Sequence, residues 1–355
     1  MLNVTSVYAQ KMENLVQDIY PSKSEAGLVL LTKDHQKTQI LPYGLADIRM
    51  EQKIEEDTQF RLASVSKQFT AMAIYRLIRA GKLQFDTPIR NILPELPAST
   101  QAIAIKHLLN HSSGLLDYES YIPTNQNEQL SDVDILHILS TQDSVYFEAG
   151  SKFRYSNSAY CLMAVIVARV SQQSFAEYCK EQIFDMIGAN QALVYKATDK
   201  MHKRAYGYHP KDGKFIFADQ SLTSATQGDG GVYISAKEYE LWLSKHNPLF
   251  DEQYFADLEK YKIAVKDGVD YSLGWFTARY ADKDLYLFHS GESTGFHNLV
   301  LFNYSQQKAL VTFSNRDDLK IADLTLQVGK VLQLDFSSIN NQPIFLWLSN
   351  VYANN

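Results

Sequence analysis

The run FRLASVSKQFTA, Phe60 to Ala71, sets a serine and a lysine three residues apart inside an otherwise apolar stretch. A cation facing a core is costly unless it is paired or used. If Ser64 occupies the first turn of a helix, Lys67 stands one turn on, on the same face and within hydrogen-bond reach. Desolvation lowers a lysine pKa. A lysine weakened in this way takes a proton from a neighbouring hydroxyl or orients a base that does, which makes Ser64 a candidate nucleophile and Lys67 its partner. S-x-x-K is a short, common pattern. By itself it reads as a helix N-cap followed by a lysine reaching solvent.

Two later stretches supply matching chemistry. In FEAGSKFRYSNSAY, Tyr155 and Asn157 stand two apart just before a helical pattern. A tyrosine held against a cationic lysine is expected to have a lowered phenol pKa and to act as a general base. The asparagine amide would hold both the lysine and a substrate carbonyl. In FHSGESTGF, Phe288 to Phe296, Gly291 allows a substrate backbone to lie close to a strand edge. The backbone N–H just after it would form one half of an oxyanion hole and that of Ser64 the other. Read singly, these are a surface tyrosine, a capping asparagine and a strand end.

The elements that must position these groups follow from periodicity. AGLVLLT, Ala26 to Thr32, reads as a strand, and after polar KDHQK a second strand follows in TQILPYG. From Val65 to Ala80 the pattern is helical and apolar on nearly every side, as in a buried helix, with Gly81 as its stop. From about Asp86 to Pro248 the pattern is mostly helical, including SDVDILHILSTQ with Ser131 as N-cap and a segment from Ser158 to Val170. After Asp270 it changes to strands in YSLGWFTARY, LYLFHSG, HNLVLFNY and KALVTFSN, then to a last helix around Leu319 to Leu334. Strands at both chain ends and helices between them predict an α+β fold. Its antiparallel sheet is built from the two ends and flanked by helices, with an inserted, mostly helical lobe and a cleft where the lobes meet. Residues 1–355 then form a single catalytic unit, with the sheet lobe in about 1–63 and 260–355 and the helical lobe in about 64–259.

Composition excludes several classes. The 355 residues are 45% hydrophobic and 21% charged, a globular balance. A net charge of −6 with scattered Lys and Arg gives no phosphate-tracking surface, so no nucleic-acid partner is expected. No apolar run approaches the roughly 20 residues of a membrane span. The first residues, MLNVTSVYAQKMENLVQ, show no basic and apolar leader pattern. This leaves the compartment open, since removal of a leader would look the same. Cys161 and Cys179 make neither a disulfide framework nor a zinc ligand set, and both are expected as buried small hydrophobes.

Taken in order, S-x-x-K, then Y-x-N about 90 residues later, then a basic residue with x-G on a late strand resembles the serine β-lactamase and penicillin-binding-protein superfamily, in its class C-like branch. That branch includes D-alanyl-D-alanine peptidases, D-aminopeptidases and esterases. Further stretches resemble family landmarks: GKLQFDTPIRNILPEL, IKHLLNHSSGLLDY, GDGGVYISAKEYELWL and YSLGWF. The likeness covers roughly Gly27 to Val331. It implies a β-lactamase/transpeptidase-like fold and a serine acyl hydrolase working through a covalent acyl-enzyme. Its substrates would be D-amino-acid peptides, β-lactams or small esters, with no metal or organic cofactor. By the same resemblance Ser64 is the nucleophile, Lys67 and Tyr155 share the proton traffic, and Asn157 positions substrate. His289, Ser290 and Gly291 form the substrate-binding strand edge, with the N–H groups of Ser64 and Glu292 at the oxyanion.

Two departures stand out. His289 replaces the lysine of class C β-lactamases, as often occurs in the branch's peptidases. A histidine is only partly charged near neutral pH, so a carboxylate clamp there is expected to be weak and pH-dependent, ranking peptidase or esterase chemistry above β-lactam hydrolysis. Ala149 stands where the family usually has proline, a change confined to the turn before Gly150. A different class of reading is a penicillin-binding sensor or scaffold with little turnover. A third takes GESTG, Gly291 to Gly295, as the G-x-S-x-G elbow of an α/β-hydrolase with Ser293 as nucleophile. That elbow needs a following helix and a downstream acid and histidine; a strand-like run and His297 alone follow. His107 and His111 are expected to be structural, His297 to be structural or to line the cleft, and Trp275 to lie in the core.

Overall fold

The computed structural model describes residues 4–35, 37–196, 201, 203–279 and 284–353. Met1 to Asn3, Gln36 and Tyr280, which fall in three of the stretches quoted above, lie outside them. Among the described residues the sheet has eight antiparallel strands drawn from both ends of the chain. Across the sheet they run Ile263–Lys266, Val269–Ser272, Trp275–Arg279, Leu285–Ser293, Phe296–Asn303, Lys308–Ser314, Leu28–Asp34 and Lys37–Tyr43. Leu28 pairs with Ser314, so the two ends of the chain meet inside the sheet, with only Lys37–Tyr43 beyond Leu28–Asp34. The strand-rich late segments and the early hairpin thus join as their alternation predicts. The first two strands run through Lys33, Asp34 and Lys37, which the polarity of KDHQK assigns to the connection.

Helices cover the sheet. Lys67–Arg79 is buried from Lys67 through Tyr75 and again at Leu77, as its all-round apolar pattern requires. Asn157–Ser171 packs beside it, begun by Ser156, whose hydroxyl accepts from Ala159 N–H at 3.1 Å. Lys320–Leu332 lies near the predicted position. The helices Val4–Ile19 and Ile344–Ala353 have no counterpart in the sequence reading. The middle of the chain is less helical than its pattern suggests. A small sheet of Gln59–Arg61, Val232–Ser235 and Leu193–Val194 and a hairpin of Tyr208–Lys211 with Lys214–Phe217 interrupt it.

The helix Asp132–Ser140 shows how local chemistry fixes these elements. Ser131 N–H donates to Asp134 Oδ2 at 2.8 Å while Asp134 N–H returns to Ser131 Oγ. Ser131→Ala is expected to cost about 1 kcal/mol, read as a shift in the urea midpoint at unchanged slope.

Cys161 and Cys179 are free and buried, and Trp275 is in the core. No described helix is long and apolar enough to cross a membrane.

Candidate active site

Ser64 lies in a 3-10 turn, Ala63–Ser66, that runs straight into the Lys67–Arg79 helix. Ala63 holds a left-handed φ of 48°, a strained value for a residue with a side chain. Several contacts hold this turn. Leu62 N–H donates to Val232 O at 2.9 Å. Asn298 on the sheet donates through Nδ2 to Arg61 O at 3.0 Å and Leu62 O at 3.1 Å. Val232 N–H donates to Ser66 Oγ at 3.0 Å. Behind the helix start, the turn of YSLGWF presses Gly274 against Gln68 Cα and Lys67 O.

Lys67 is 0% exposed, and its Nζ donates to Ser64 Oγ at 3.1 Å, Asn157 Oδ1 at 2.9 Å and the Asp229 carbonyl at 2.9 Å. Burial pulls its pKa down to about 8, with Asp229 as the largest opposing charge. Three donors meeting three acceptors suit an ammonium. Once a proton leaves, two donors still serve Asn157 and Asp229, and the lone pair faces Ser64. The loop carrying Asp229 is fixed by Asp132, whose carboxylate accepts from Gln227 N–H at 2.9 Å and Gly228 N–H at 3.1 Å.

The segment before Asn157 is built on the HSSGLLDY stretch. His111 O accepts from Arg154 N–H at 2.8 Å and His111 Nδ1 from Ser156 N–H at 3.1 Å, so Tyr155 is clamped between them. Burial holds His111 neutral, its pKa well below the usual histidine value. His107 accepts from Ala104 N–H at 3.1 Å, and both histidines are structural. The Tyr155 hydroxyl is buried and faces Ser64. Its pKa lies well above the ordinary phenol value, burial being the first cause and Tyr352 the second. This corrects the expectation of a lowered pKa: Lys67 Nζ sits 4.9 Å from the centroid of the Tyr155 ring, where it stabilises the π face.

The strand Leu285–Ser293 passes directly beside the Ser64 turn, with Gly291 against Leu62 O and Val65 N. His289 and Ser290 are both 0% exposed. The His289 pKa is pulled down to about 3, chiefly by burial. The ring is therefore neutral, not the partly charged clamp expected from the sequence. Its Nδ1 donates to Ser290 O at 2.6 Å and its Nε2 accepts from the Tyr271 hydroxyl at 3.3 Å. Glu292 is partly buried, its pKa raised by burial, and accepts from Ser349 Oγ at 2.7 Å. Ser293 ends this strand, pairs with Phe296 and leads into the strand Phe296–Asn303, so the strand-turn-helix of an α/β-hydrolase elbow is not formed. His297 sits at the next strand's start and donates from Nδ1 to Asp318 O at 2.9 Å.

Two hollows that share Ser64, Glu119, Asn157 and Glu292 in their linings open on the site. One, about 170 Å³, is lined by Asn157, Glu119, Asp229 and Ser293; the other, about 410 Å³, by Tyr155, Arg154, Asp117 and Tyr352. A larger hollow of about 810 Å³ around Gln59 and Leu241 lies apart from these groups. Sequence reasoning passed over Glu119, which accepts from Asn157 Nδ2 at 3.2 Å, as well as Asn298, Asp229 and Tyr352. Asp229 falls in GDGGVYISAKEYELWL, a stretch noted for its family likeness, and Glu119 directly follows another, whereas Tyr352 carries no local signal. Among the described residues no group of three or more His, Cys, Asp or Glu is placed to hold a metal ion.

A serine backed by a buried lysine, with a tyrosine and an asparagine from the next helix and the edge of an antiparallel sheet alongside, is an arrangement suited to acyl transfer. The chain matches the Beta-lactamase family over residues 8–328 and belongs to that family of serine hydrolases. It is 28% identical over 297 residues to Penicillin-binding protein 4* of Bacillus subtilis, 78% of this chain and 65% of that protein. The chain therefore spans less than two thirds of that relative's length. A penicillin binding protein from Bacillus halodurans superposes with a TM-score of 0.78 at 25% identity, covering 93% of this chain and 100% of the other. D-amino acid amidase from Ochrobactrum anthropi, in complex with L-phenylalanine amide, shares the fold with a TM-score of 0.75 at 21% identity over 92% of this chain and 99% of its own.

Proposed function

We propose that the protein is a serine acyl hydrolase that forms a covalent acyl-enzyme on Ser64. The observation carrying this reading is the fully buried Lys67 with Nζ 3.1 Å from Ser64 Oγ and a pKa of about 8. Ser64 Oγ bonds to the carbonyl carbon as its proton passes to neutral Lys67 Nζ. When the carbonyl carbon releases its amine or alcohol, the leaving atom takes a proton from the Tyr155 hydroxyl, which Lys67 refills. Water then repeats the sequence in reverse, giving a proton to the same relay, bonding to the acyl carbon and releasing Ser64. Asn157 orients Lys67 and the substrate carbonyl. The N–H groups of Ser64 and Glu292 receive the negative charge that develops on the carbonyl oxygen.

Small amides and esters, including D-amino-acid amides and peptides, rank above β-lactams as substrates. A neutral, buried His289 supplies no positive charge for the β-lactam carboxylate. The relative crystallised with an amino-acid amide is in keeping with this ranking.

Intact-protein mass after exposure to a fluorophosphonate tests the nucleophile. The expected result is a single adduct in the wild type and none in Ser64→Ala. An adduct that persists in Ser64→Ala sinks the assignment. A wild type that forms no adduct and turns over no ester would be a sensor or scaffold instead.

A further inference from the structure

The helix Ile344–Ala353 lies beyond the matched family region of residues 8–328, yet its last turn reaches the site. Trp347 Nε1 donates to Asp267 Oδ2 at 2.8 Å, and Ile344, Phe345, Trp347, Leu348 and Val351 are buried, so the helix is firmly seated. Tyr352 then projects over the strand edge. Its Oη accepts from Ser290 Oγ at 2.9 Å and lies 3.4 Å from His289 Nδ1 and 3.5 Å from Ser290 O. Its ring packs on Tyr155, with centroids 4.5 Å apart, and lies within 25° of parallel to the His289 ring.

Two consequences follow for a substrate bearing an anionic group. The Ser290 hydroxyl, the strand's side-chain donor at this point, is already spent on Tyr352. The charged groups lining the hollow of about 410 Å³ beside Ser64 are three carboxylates, Asp117, Glu119 and Glu292, against Arg154, whose guanidinium lies 4.0 Å above the Tyr146 ring. A carboxylate entering there loses its hydration and meets net negative charge, with the Ser290 hydroxyl already engaged.

We infer that Tyr352 is a specificity-determining residue: by occupying Ser290 and covering His289 it closes the strand edge to carboxylates, so that Ser64 is acylated by uncharged or amine-bearing esters and amides in preference to carboxylate-bearing ones. This rests on the reading of Ser64 as nucleophile.

The test uses phenyl acetate and 3-carboxyphenyl acetate, esters whose leaving groups differ by one carboxylate, and compares the ratio of their kcat/KM values across variants. Tyr352→Phe removes the acceptor and releases Ser290; Tyr352→Ala also removes the ring. Either is expected to lower the neutral-to-carboxylate ratio about tenfold, the worth of one hydrogen bond to a charged group. Adding Ser290→Ala is expected to restore the wild-type ratio, which a mere loosening of the helix would not do. An unchanged ratio in both Tyr352 variants, with turnover still dependent on Ser64, overturns the proposal alone. A shift that survives Ser290→Ala overturns it as well. Turnover that persists in Ser64→Ala, or is absent for both esters, overturns the underlying reading and the proposal with it.

Discussion

Lys67→Met and Lys67→Arg are both expected to lower kcat/KM for a neutral ester at pH 7 by about 10²–10⁴-fold, the usual worth of a positioned general base. The arginine variant is the sharper of the two. It preserves a cation beside Asn157 and the Asp229 carbonyl, but a guanidinium does not give up its proton in a protein. If the charge of Lys67 were what mattered, arginine would rescue; if its lone pair matters, both variants fail. On the proposed mechanism the active form is the neutral amine. With a pKa of about 8, kcat/KM should rise through that value and level off above it. A profile flat from pH 6 to 10 would remove Lys67 from the role of base.

The same burial has a cost in stability. A folded-state pKa of about 8 against the ordinary lysine value of 10.5 means that folding disfavours the ammonium. The penalty, on the order of 3 kcal/mol, is fully present below about pH 8 and is relieved as pH rises toward 10.5, because only the unfolded chain still binds the proton in that window. The wild type should therefore gain stability relative to Lys67→Met between those pH values. Urea unfolding of the two proteins across that range reads it directly, and the buried tyrosines common to both cancel in the difference. A difference that does not change with pH would contradict the depressed pKa.

What the sequence made legible tracks how local each contact is. Ser64 and Lys67 are one helical turn apart, so their meeting follows from helix geometry and an apolar pattern. Tyr155 and Asn157 had to be recognised by order and company, and the bond from Lys67 to Asn157 spans 90 positions. Asn298 reaches Leu62 across 236 positions, and nothing in HNLVLFNY marks its second residue as an anchor for the nucleophile turn. The charge of His289 was misjudged for the same reason. Its residue type fixes the ordinary pKa, but its burial depends on Tyr271 and on Tyr352, 63 positions away. The direction of the Tyr155 shift was likewise set by burial, with Tyr352 the next cause, and no spacing reveals either. Topology was easier. The change of periodicity after Asp270 and the early hairpin located most of the main sheet but not its edge strand Ile263–Lys266, and the short strands at Gln59–Arg61, Leu193–Val194 and Val232–Ser235 were too brief to show alternation.

Gly291→Ala should bring the other large loss. A Cβ at this position would stand 2.1 Å from Leu62 O, far inside contact distance, and a tight 3.2 Å from Val65 N, and both neighbours are backbone. Neither side yields easily. Gly291 is paired with Asn298 in a strand flanked on both sides, and Leu62 is tied to Val232 through its N–H and to Asn298 through its carbonyl. Relief therefore requires the strand edge and the Ser64 turn to part by on the order of an ångström. That separation spoils the alignment of the Ser64 and Glu292 N–H groups on a single carbonyl oxygen. A misplacement of this size is worth about 10²-fold in rate, and the overpacking adds roughly 1–3 kcal/mol of destabilisation. Steady-state kinetics beside a urea titration separates the two. Because the variant should remain mostly folded, the fall in kcat/KM must persist after correction for the folded fraction. A Gly291→Ala protein with wild-type kinetics would show that the strand edge and the serine turn are not held against each other, and the oxyanion assignment to Ser64 and Glu292 would go with it.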